Sequence, residues 1–415
     1  MKHLYAYLRY RMPSYIRNCS LFILFVIPVY LSGFINAQAA IPQFSDPAAF
    51  ELGGQAPQDL EIQDLNYDGH QDMVSVTSTK INFLLGDGTG RLLKDNSITM
   101  NDVNDVEFAD FNNDGLLDMA IARGGLSLSA VNGVDIYLGT GGEAPQFVFK
   151  RFLQTLRDSG PIVLGDFNED GNVDVLSQGV VANQQLSAGI FFGLGDGTFS
   201  KPVSIDRSWN YLADLETVDI NNDGHLDLIG GGIALGTGTG EFTGTGNGFK
   251  ESAVGDLNND GLLDVVGSIE SSFGPMGIQV ALQQTDGSFL YLLTSNPDYI
   301  AEIGIADFNR DGKGDILIRF VDGDLVAYEA NDDGSLNAGT NINTIPYQGR
   351  LWSQHFMLSD FNEDGFIDIA SPDWLLTNDS SIWIQLQIPD LVNDPFVDTE
   401  APNVSIISAQ NGDVL

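Results

Sequence analysis

Seven segments of the chain follow one pattern, Asp-x-Asn-x-Asp-Gly-x-x-Asp, which places three carboxylates and one carboxamide within nine residues. Carboxylate and carboxamide oxygens are the hard ligands that Ca²⁺ takes, six to eight of them at about 2.3–2.6 Å. Glycine at the sixth position allows a sharp turn with φ > 0. Because three carboxylates this close repel one another unless a cation lies between them, each copy predicts a calcium-binding loop.

The residues expected to bind calcium occupy the same positions in every copy. Side chains at positions 1, 3, 5 and 9 supply oxygens, and position 7 supplies its backbone carbonyl, so its side chain can vary. The predicted ligands, for up to seven Ca²⁺ ions, are Asp64, Asn66, Asp68, His70, Asp72, Asp110, Asn112, Asp114, Leu116, Asp118, Asp166, Asn168, Asp170, Asn172, Asp174, Asp219, Asn221, Asp223, His225, Asp227, Asp256, Asn258, Asp260, Leu262, Asp264, Asp307, Asn309, Asp311, Lys313, Asp315, Asp360, Asn362, Asp364, Phe366 and Asp368. In the sixth copy Arg310 and Lys313 place positive charge near the expected ion.

A helical calcium loop is the competing interpretation of this pattern, and it requires a bidentate Glu at position 12. Position 12 is instead Ser75, Ile121, Ser177, Gly230, Gly267, Ile318 or Ser371. Position 2 and the residue after the last Asp are apolar in every copy, and the segment 106–122 alternates apolar and polar residues. We therefore interpret each copy as a hairpin loop between two β-strands. An Asx turn without metal is the alternative, since Asn-Asp-Gly suits any tight turn.

The spacing of the copies predicts the architecture. They begin 37 to 56 residues apart, a period that matches the four-stranded blades of a β-propeller. A second element follows most loops, and in the segments 83–90 and 192–199 its Gly-Asp-Gly-Thr sequence predicts a hairpin turn. The seventh repeat lacks the strand that should follow, whereas the segment 44–50 resembles it. We therefore expect the start of the chain to complete the last blade and close the ring.

The first 39 residues are predicted to be a secretory signal peptide. Basic residues precede the apolar run 21–35, and Ala-Gln-Ala at 37–39 gives a small-x-small cleavage site before Ala40. A membrane anchor is the alternative, but the run contains Pro28 and is shorter than the ~20 residues that span a bilayer. We expect a secreted or cell-surface protein with no integral membrane span after cleavage. The single cysteine, Cys19, lies in the leader, so no disulfide is expected in the mature chain.

The charge of the chain restricts its partners. Its formal net charge is −39, from 18 Lys and Arg against 57 Asp and Glu. A chain this acidic repels phosphate backbones and anionic lipids, so nucleic acid is not an expected partner. Hydrophobic residues make up 43% of the chain, which is enough to build packed cores.

The seven loops and their spacing resemble the FG-GAP/VCBS repeat family, whose best-known members are the integrin α-subunit propellers. The resemblance covers about residues 41–389, although the family's Phe-Gly and Gly-Ala-Pro elements are degenerate here. It implies an all-β fold, a seven-bladed β-propeller with calcium-binding hairpin loops. It implies no single function, because members bind proteins, bind sugars or support polysaccharide-degrading activity.

These observations divide the chain into a signal peptide (1–39), a propeller (40–390) and a tail (391–415) similar to the truncated start of a bacterial Ig-like module. Further C-terminal Ig-like modules would then follow in the full-length protein. The expected function is ligand recognition or adhesion, with an extracellular glycan or protein as the ligand and calcium in a structural role. The alternative is the propeller of a polysaccharide lyase or glycoside hydrolase, in which Trp352 and His355 could line a sugar site. The sequence singles out no catalytic residue.

Overall fold

A computed structural model of the chain describes residues 43–45, 48–52, 57–125, 132–142, 144–155, 160–182, 185–205, 215–244, 248–271, 274–294, 298–342, 356–373 and 381–388. Within these ranges all the regular secondary structure is β-strand. The strands form seven four-stranded antiparallel sheets and one two-stranded pair. The fold is therefore an all-β, seven-bladed β-propeller, as the repeats predicted.

The first two strands, β1 (Gln43–Phe44) and β2 (Ala48–Glu51), belong to the end of the ring. Each of the next six blades is a meander of four consecutive strands. Blades 1 to 3 consist of β3 (Asp59–Gln63), β4 (Asp72–Thr77), β5 (Lys80–Gly86), β6 (Leu92–Thr99); β7 (Val103–Ala109), β8 (Asp118–Arg123), β9 (Gly133–Gly139), β10 (Phe147–Gln154); β11 (Ile162–Gly165), β12 (Asp174–Ala182), β13 (Gln185–Phe191) and β14 (Val203–Ser204).

Blades 4 to 6 repeat the same order. They consist of β15 (Glu216–Val218), β16 (Asp227–Ile229), β17 (Ile233–Gly236), β18 (Phe242–Gly244); β19 (Ser252–Gly255), β20 (Asp264–Ser271), β21 (Gly274–Gln283), β22 (Phe289–Thr294); β23 (Ile300–Ala306), β24 (Asp315–Phe320), β25 (Leu325–Tyr328) and β26 (Thr340–Asn341). The last strands are β27 (Met357–Ser359), β28 (Asp368–Asp373), β29 (Ser381–Gln385) and β30 (Gln387–Ile388).

The two ends of the described chain join in blade 7. Its sheet has the order β2-β29-β28-β27, with Ala48 opposite Ile384 and Phe50 opposite Ile382. Next to this sheet β1 pairs with β30. The expectation that the start of the chain completes the last blade is confirmed. Leu52, just after β2, is buried in the cluster between blades 7 and 1.

The first strand of each blade lies towards the axis of the ring, since β7 adjoins β3 and β11, and β23 adjoins β19 and β27. Apolar clusters fill the spaces between neighbouring blades; one combines Val74 and Phe83 of blade 1 with Val106 and Met119 of blade 2. The apolar residues on both sides of the loops are buried in all seven copies. This burial explains why position 2 and the residue after the last Asp are always apolar.

The predicted signal peptide and the predicted Ig-like tail lie outside the described residues, as do Trp352 and His355. Within the described ranges, the structure contains no helix with the length and apolar character needed to cross a membrane.

Candidate functional site

The seven repeated loops all connect the first strand of a blade to its second strand, so they lie at the same end of the propeller. The glycine at position 6 has φ between 84° and 93° in every copy, as predicted from the sequence. The residue at position 4 is also left-handed, with φ between 55° and 63°. These residues are Tyr67, Asn113, Glu169, Asn222, Asn259, Arg310 and Glu363. Two left-handed residues therefore form each turn.

Side chains within the loop hold this turn. In the first copy Asp64 Oδ1 accepts a hydrogen bond from Asp68 N at 3.1 Å, and Oδ2 accepts one from Gly69 N at 3.0 Å. Asn66 Oδ1 also accepts from Asp68 N, at 3.0 Å, and Asp68 Oδ1 accepts from His70 N at 2.9 Å. The four bonds recur in all seven copies. They are the bonds of Asx turns.

The aspartate at position 9 is buried and joins the loop to the sheet. Asp72 Oδ2 accepts from Leu65 N at 2.8 Å, and its Oδ1 accepts from Gly86 N at 2.9 Å on the third strand of the blade. Six of the seven copies make both bonds, the exception being the sixth copy. The other five acceptors are Asp118, Asp174, Asp227, Asp264 and Asp368.

Burial raises the pKa of the position-9 carboxyl in every copy, and the carboxylates at positions 1 and 5 raise it further. The pKa reaches about 6 for Asp72, Asp118 and Asp227, and about 7 for Asp174, Asp264 and Asp368. For Asp315 it reaches about 8, mainly because of burial, and Asp311, Asp307 and Glu329 raise it further. Each loop thus concentrates negative charge that its own hydrogen bonds do not neutralise.

The donor set of the loops suits a hard cation. Each carboxylate oxygen has about two lone-pair sites, and in the first copy each oxygen of Asp64 accepts one hydrogen bond from the loop backbone. The set consists of oxygens alone, which is the chemistry that Ca²⁺ prefers. Across the residues described here, no group of three or more His, Cys, Asp and Glu side chains that could hold a metal ion is found. The carboxylates point instead to backbone amides of their own loops, so calcium binding stays a prediction.

Neighbouring loops contact one another around the ring through the side chain at position 4 and a residue at position 6, 7 or 8 of the next loop. The position-4 side chain reaches the loop of the next blade at five of the seven boundaries, within the described residues. The pairs are Tyr67 Oη with Leu117 N, Asn113 Nδ2 with Asn172 Oδ1 at 3.1 Å, Glu169 Oε1 with His225 Nδ1, Arg310 Nη2 with Gly365 O, and Glu363 Oε1 with His70 Nδ1 at 2.5 Å. Arg310 also lies over the ring of Phe366, 3.5 Å from its centre. Sequence reasoning missed these contacts, although position 4 has a hydrogen-bonding side chain in every copy.

The hairpin after the third strand packs onto these contacts. In blades 1, 3 and 4 it contains Gly-x-Gly-x-Gly, and each glycine has its own role. The first donates its N–H to the position-9 Asp. A Cβ on the second would lie within about 2.6 Å of the position-4 or position-7 side chain. The third donates its N–H to the position-2 carbonyl of the preceding blade. The glycines are Gly86, Gly88, Gly90; Gly193, Gly195, Gly197; and Gly236, Gly238, Gly240.

The Gly-Asp-Gly-Thr sequence does not occupy equivalent places in the hairpins of blades 1 and 3. That tetrapeptide starts at the first glycine of the triplet in blade 1, Gly86, and at the second in blade 3, Gly195. The equivalent residues are therefore Gly88 and Gly195, which lie beside the loop contacts and have φ of 71° and 73°. Equivalent glycines are therefore identified by their distance in sequence from the glycine that bonds the buried Asp, and not by their place in the tetrapeptide.

A family model described as FG-GAP-like repeat matches residues 64–121 and 256–318. The chain carries FG-GAP-like repeats. The matched regions contain loops 1, 2, 5 and 6, and the propeller extends the same loop to the other three blades. No curated protein matches the chain significantly.

Solved structures show the same fold at low sequence identity. The BP39L lectin from Burkholderia pseudomallei is 12% identical with a TM-score of 0.54, over 77% of this chain and 93% of the lectin chain. BBS1N in complex with ARL6DN is 12% identical with a TM-score of 0.51, over 84% of this chain and 98% of that chain. At this identity the likeness concerns the propeller fold alone.

Proposed function

We propose that the chain is a calcium-stabilised recognition module that works outside the cell, where calcium is abundant. The observation that carries the proposal is the set of seven oxygen-lined loops at one end of the ring, each with a buried Asp of raised pKa. Burial and, to a lesser degree, repulsion between the carboxylates raise these pKa values, and a bound divalent cation would favour the charged form of each carboxylate. Calcium then has a structural role, because the loops also join adjacent blades.

Recognition by the ring is the second part of the proposal. The propeller is a closed ring of seven blades, and its fold is shared by a lectin and by a protein crystallised with a partner. The net charge of −39 disfavours anionic ligands. A neutral glycan or a protein surface is therefore the proposed ligand class.

Thermal unfolding with and without calcium tests the structural part. A site that binds only the folded state adds about 2.7 kcal/mol when free calcium is 100 times Kd. We expect the melting temperature to fall in EGTA and to recover with Ca²⁺ but much less with Mg²⁺, since Mg²⁺ demands a smaller octahedral cage. An unchanged melting temperature in EGTA would contradict the proposal.

A glycan array probed with the calcium-loaded protein, and again in EGTA, tests the recognition part. Specific binding that EGTA abolishes is the expected result. The matched variant is Asp170→Asn, which removes one predicted calcium ligand from one loop. It should remain folded and should bind the glycan less well than wild type at the same calcium concentration. Absence of glycan binding under both conditions would remove the glycan as ligand and leave a protein partner to be sought by affinity capture.

A further inference from the structure

The loop of blade 6 differs from the other six in its side-chain bonds. In the other six loops the Asn at position 3 donates from Nδ2 to Oδ2 of the Asp at position 5, at 2.9–3.1 Å. In blade 6 the equivalent oxygen, Asp311 Oδ2, lies 3.2 Å from the ammonium of Lys313. The buried Nδ2 of Asn309 has no hydrogen-bond partner. An ammonium has therefore replaced the carboxamide at this carboxylate.

Lys313 is held on both sides. Its Nζ also lies 3.1 Å from Asp332 Oδ1, in the hairpin that follows the third strand of the same blade. The Lys313 side chain is only 17% exposed. Position 7 is His, Leu, Asn or Phe in the other six copies, so only this loop has a Lys there. The two His side chains contact a Glu of the preceding loop rather than the Asp at position 5 of their own loop.

The position-9 aspartate of this loop has also lost its usual partners. Asp315 is 3% exposed, and its Oδ1 has no hydrogen-bond partner. Phe308 N, which would donate to Oδ2 by analogy, donates to Ala306 O at 3.0 Å. Gly314 N donates to Asp256 O of the preceding loop at 2.7 Å. The backbone on both sides of the cluster has thus moved away from the arrangement of the other six loops.

We propose that Lys313 takes the place of calcium in blade 6, so that the chain binds six calcium ions rather than seven. The proposal rests on calcium binding by the other loops, as proposed above. A Ca²⁺ ion in this loop would lie beside the ammonium, and like charges at such distances repel strongly in a partly buried site. Blade 6 does not lack negative charge, because Glu329 adds a carboxylate near Asp315 where the other blades have Leu or Phe. The number of carboxylates would therefore favour calcium binding in this loop. The ammonium on Asp311 makes the difference.

Calcium stoichiometry of the full chain tests the proposal, measured by equilibrium dialysis with calcium quantified by atomic absorption. The wild-type protein and Lys313→Gln are compared with Lys201→Gln, which makes the same charge change at an exposed site outside the loops. We expect six ions for the wild type and Lys201→Gln, and seven for Lys313→Gln. Far-UV circular dichroism checks that each variant is folded.

The other outcomes are distinct. Seven ions in the wild type would overturn the role of Lys313 and leave the calcium proposal standing. Six ions in both the wild type and Lys313→Gln would show that removing the ammonium does not create a seventh site. Something other than Lys313 would then keep calcium out of blade 6, which also overturns the inference. No bound calcium in any variant would overturn the proposed function itself.

Discussion

The Nδ1 atom of His70 lies 2.5 Å from Oε1 of Glu363, although 293 positions separate the two residues in the chain. The contact joins the loop of blade 1 to the loop of blade 7, where the ring closes. His225 and Glu169 make the same contact between blades 4 and 3. In each pair the hydrogen bond that the imidazole donates to the carboxylate raises the pKa of the imidazole.

Raising the pH should weaken the contact of His70 with Glu363. Because the pKa of His70 is higher in the folded protein than its usual 6.5, the stabilisation is fully present below the unfolded pKa and is lost as the pH rises through the folded pKa. We expect His70→Gln to lower the melting temperature at pH 5.5 and to have a smaller effect at pH 9. Thermal unfolding in EGTA measures both, without calcium at the neighbouring carboxylates.

Glu363→Gln is the matched control for this prediction. It should reproduce the pH dependence of His70→Gln, and the double variant should lose little more than either single variant, because both remove one interaction. A difference between wild type and His70→Gln that stays constant with pH would contradict the assignment.

Gly238→Ala should destabilise the protein more than Gly287→Ala. Both glycines are left-handed, with φ of 70° and 79°, so an alanine costs about 1–2 kcal/mol at either position. At Gly238 the new Cβ would lie 2.5 Å from Glu169 Oε1 and 2.6 Å from Nδ1 of the His225 ring, so it would push this bonded pair apart, whereas nothing lies within 4 Å at Gly287. We expect an additional loss of about 1–3 kcal/mol for Gly238→Ala from overpacking. Urea unfolding measures the difference, and equal losses would show that the hairpin does not depend on this contact.

Leu52→Ala should be costly because it leaves a cavity where blade 7 meets blade 1. Leu52 is 2% exposed and packs in the cluster with Leu60, Ile62 and Ile382. We expect a loss of about 2–5 kcal/mol in the free energy of unfolding. Leu93→Ala, at a side chain that is 54% exposed, is the same change at the surface and should cost less than about 0.5 kcal/mol. Similar losses in the two variants would mean that the seam at Leu52 adds little to stability.

Without calcium, the protein should lose stability as the pH rises through the pKa values of the buried aspartates. Asp174 has a pKa of about 7 in the folded protein against 3.8 ordinarily, so its contribution is fully present below the unfolded value and is lost as the pH passes about 7. Asp174→Asn removes this titration but leaves Phe167 N or Gly193 N without an acceptor, at a cost of about 1–3 kcal/mol. The variant should therefore be less stable than wild type at pH 5, and the difference in the free energy of unfolding between the two proteins should be smaller at pH 8. Urea midpoints in EGTA give both gaps.

Asp196→Asn is the control for this titration. Asp196 is an exposed hairpin residue whose pKa is lowered by the hydroxyl of Thr198. The difference in stability between wild type and Asp196→Asn should therefore not become smaller between pH 5 and pH 8. A gap for Asp174→Asn that does not change between the two pH values would contradict the assignment of Asp174.

The repeat made much of the fold predictable from the sequence. Local patterns decide it: the apolar residues on both sides of each loop are buried, Gly69 and its equivalents are left-handed, and the segment containing Phe50 completes blade 7. Each of these features depends on residues close in sequence or on the simple count of strands per repeat.

Contacts between blades were not predictable in the same way. The pairing of Tyr67 with Leu117, or of Glu363 with His70, depends on how far one blade is rotated against the next, and no local pattern specifies that rotation. The equivalence of Gly88 with Gly195 was not predictable for a related reason, since it follows from the contact of each glycine triplet with a buried Asp across the sheet. For Lys313 the sequence indicated a nearby charge but not that its ammonium would bind Asp311.

The pairing of β2 with β29 also has a consequence for biosynthesis. A ribosome releases the N-terminal strand long before its partner, so the ring stays open until the chain has been made as far as residue 385. Contacts of such long range slow folding, and until then β2 and the nascent seventh blade have exposed strand edges that can pair with other chains. Truncated or stalled chains should therefore associate and aggregate. In the completed ring the edge of β2 and the edge of β29 pair with each other.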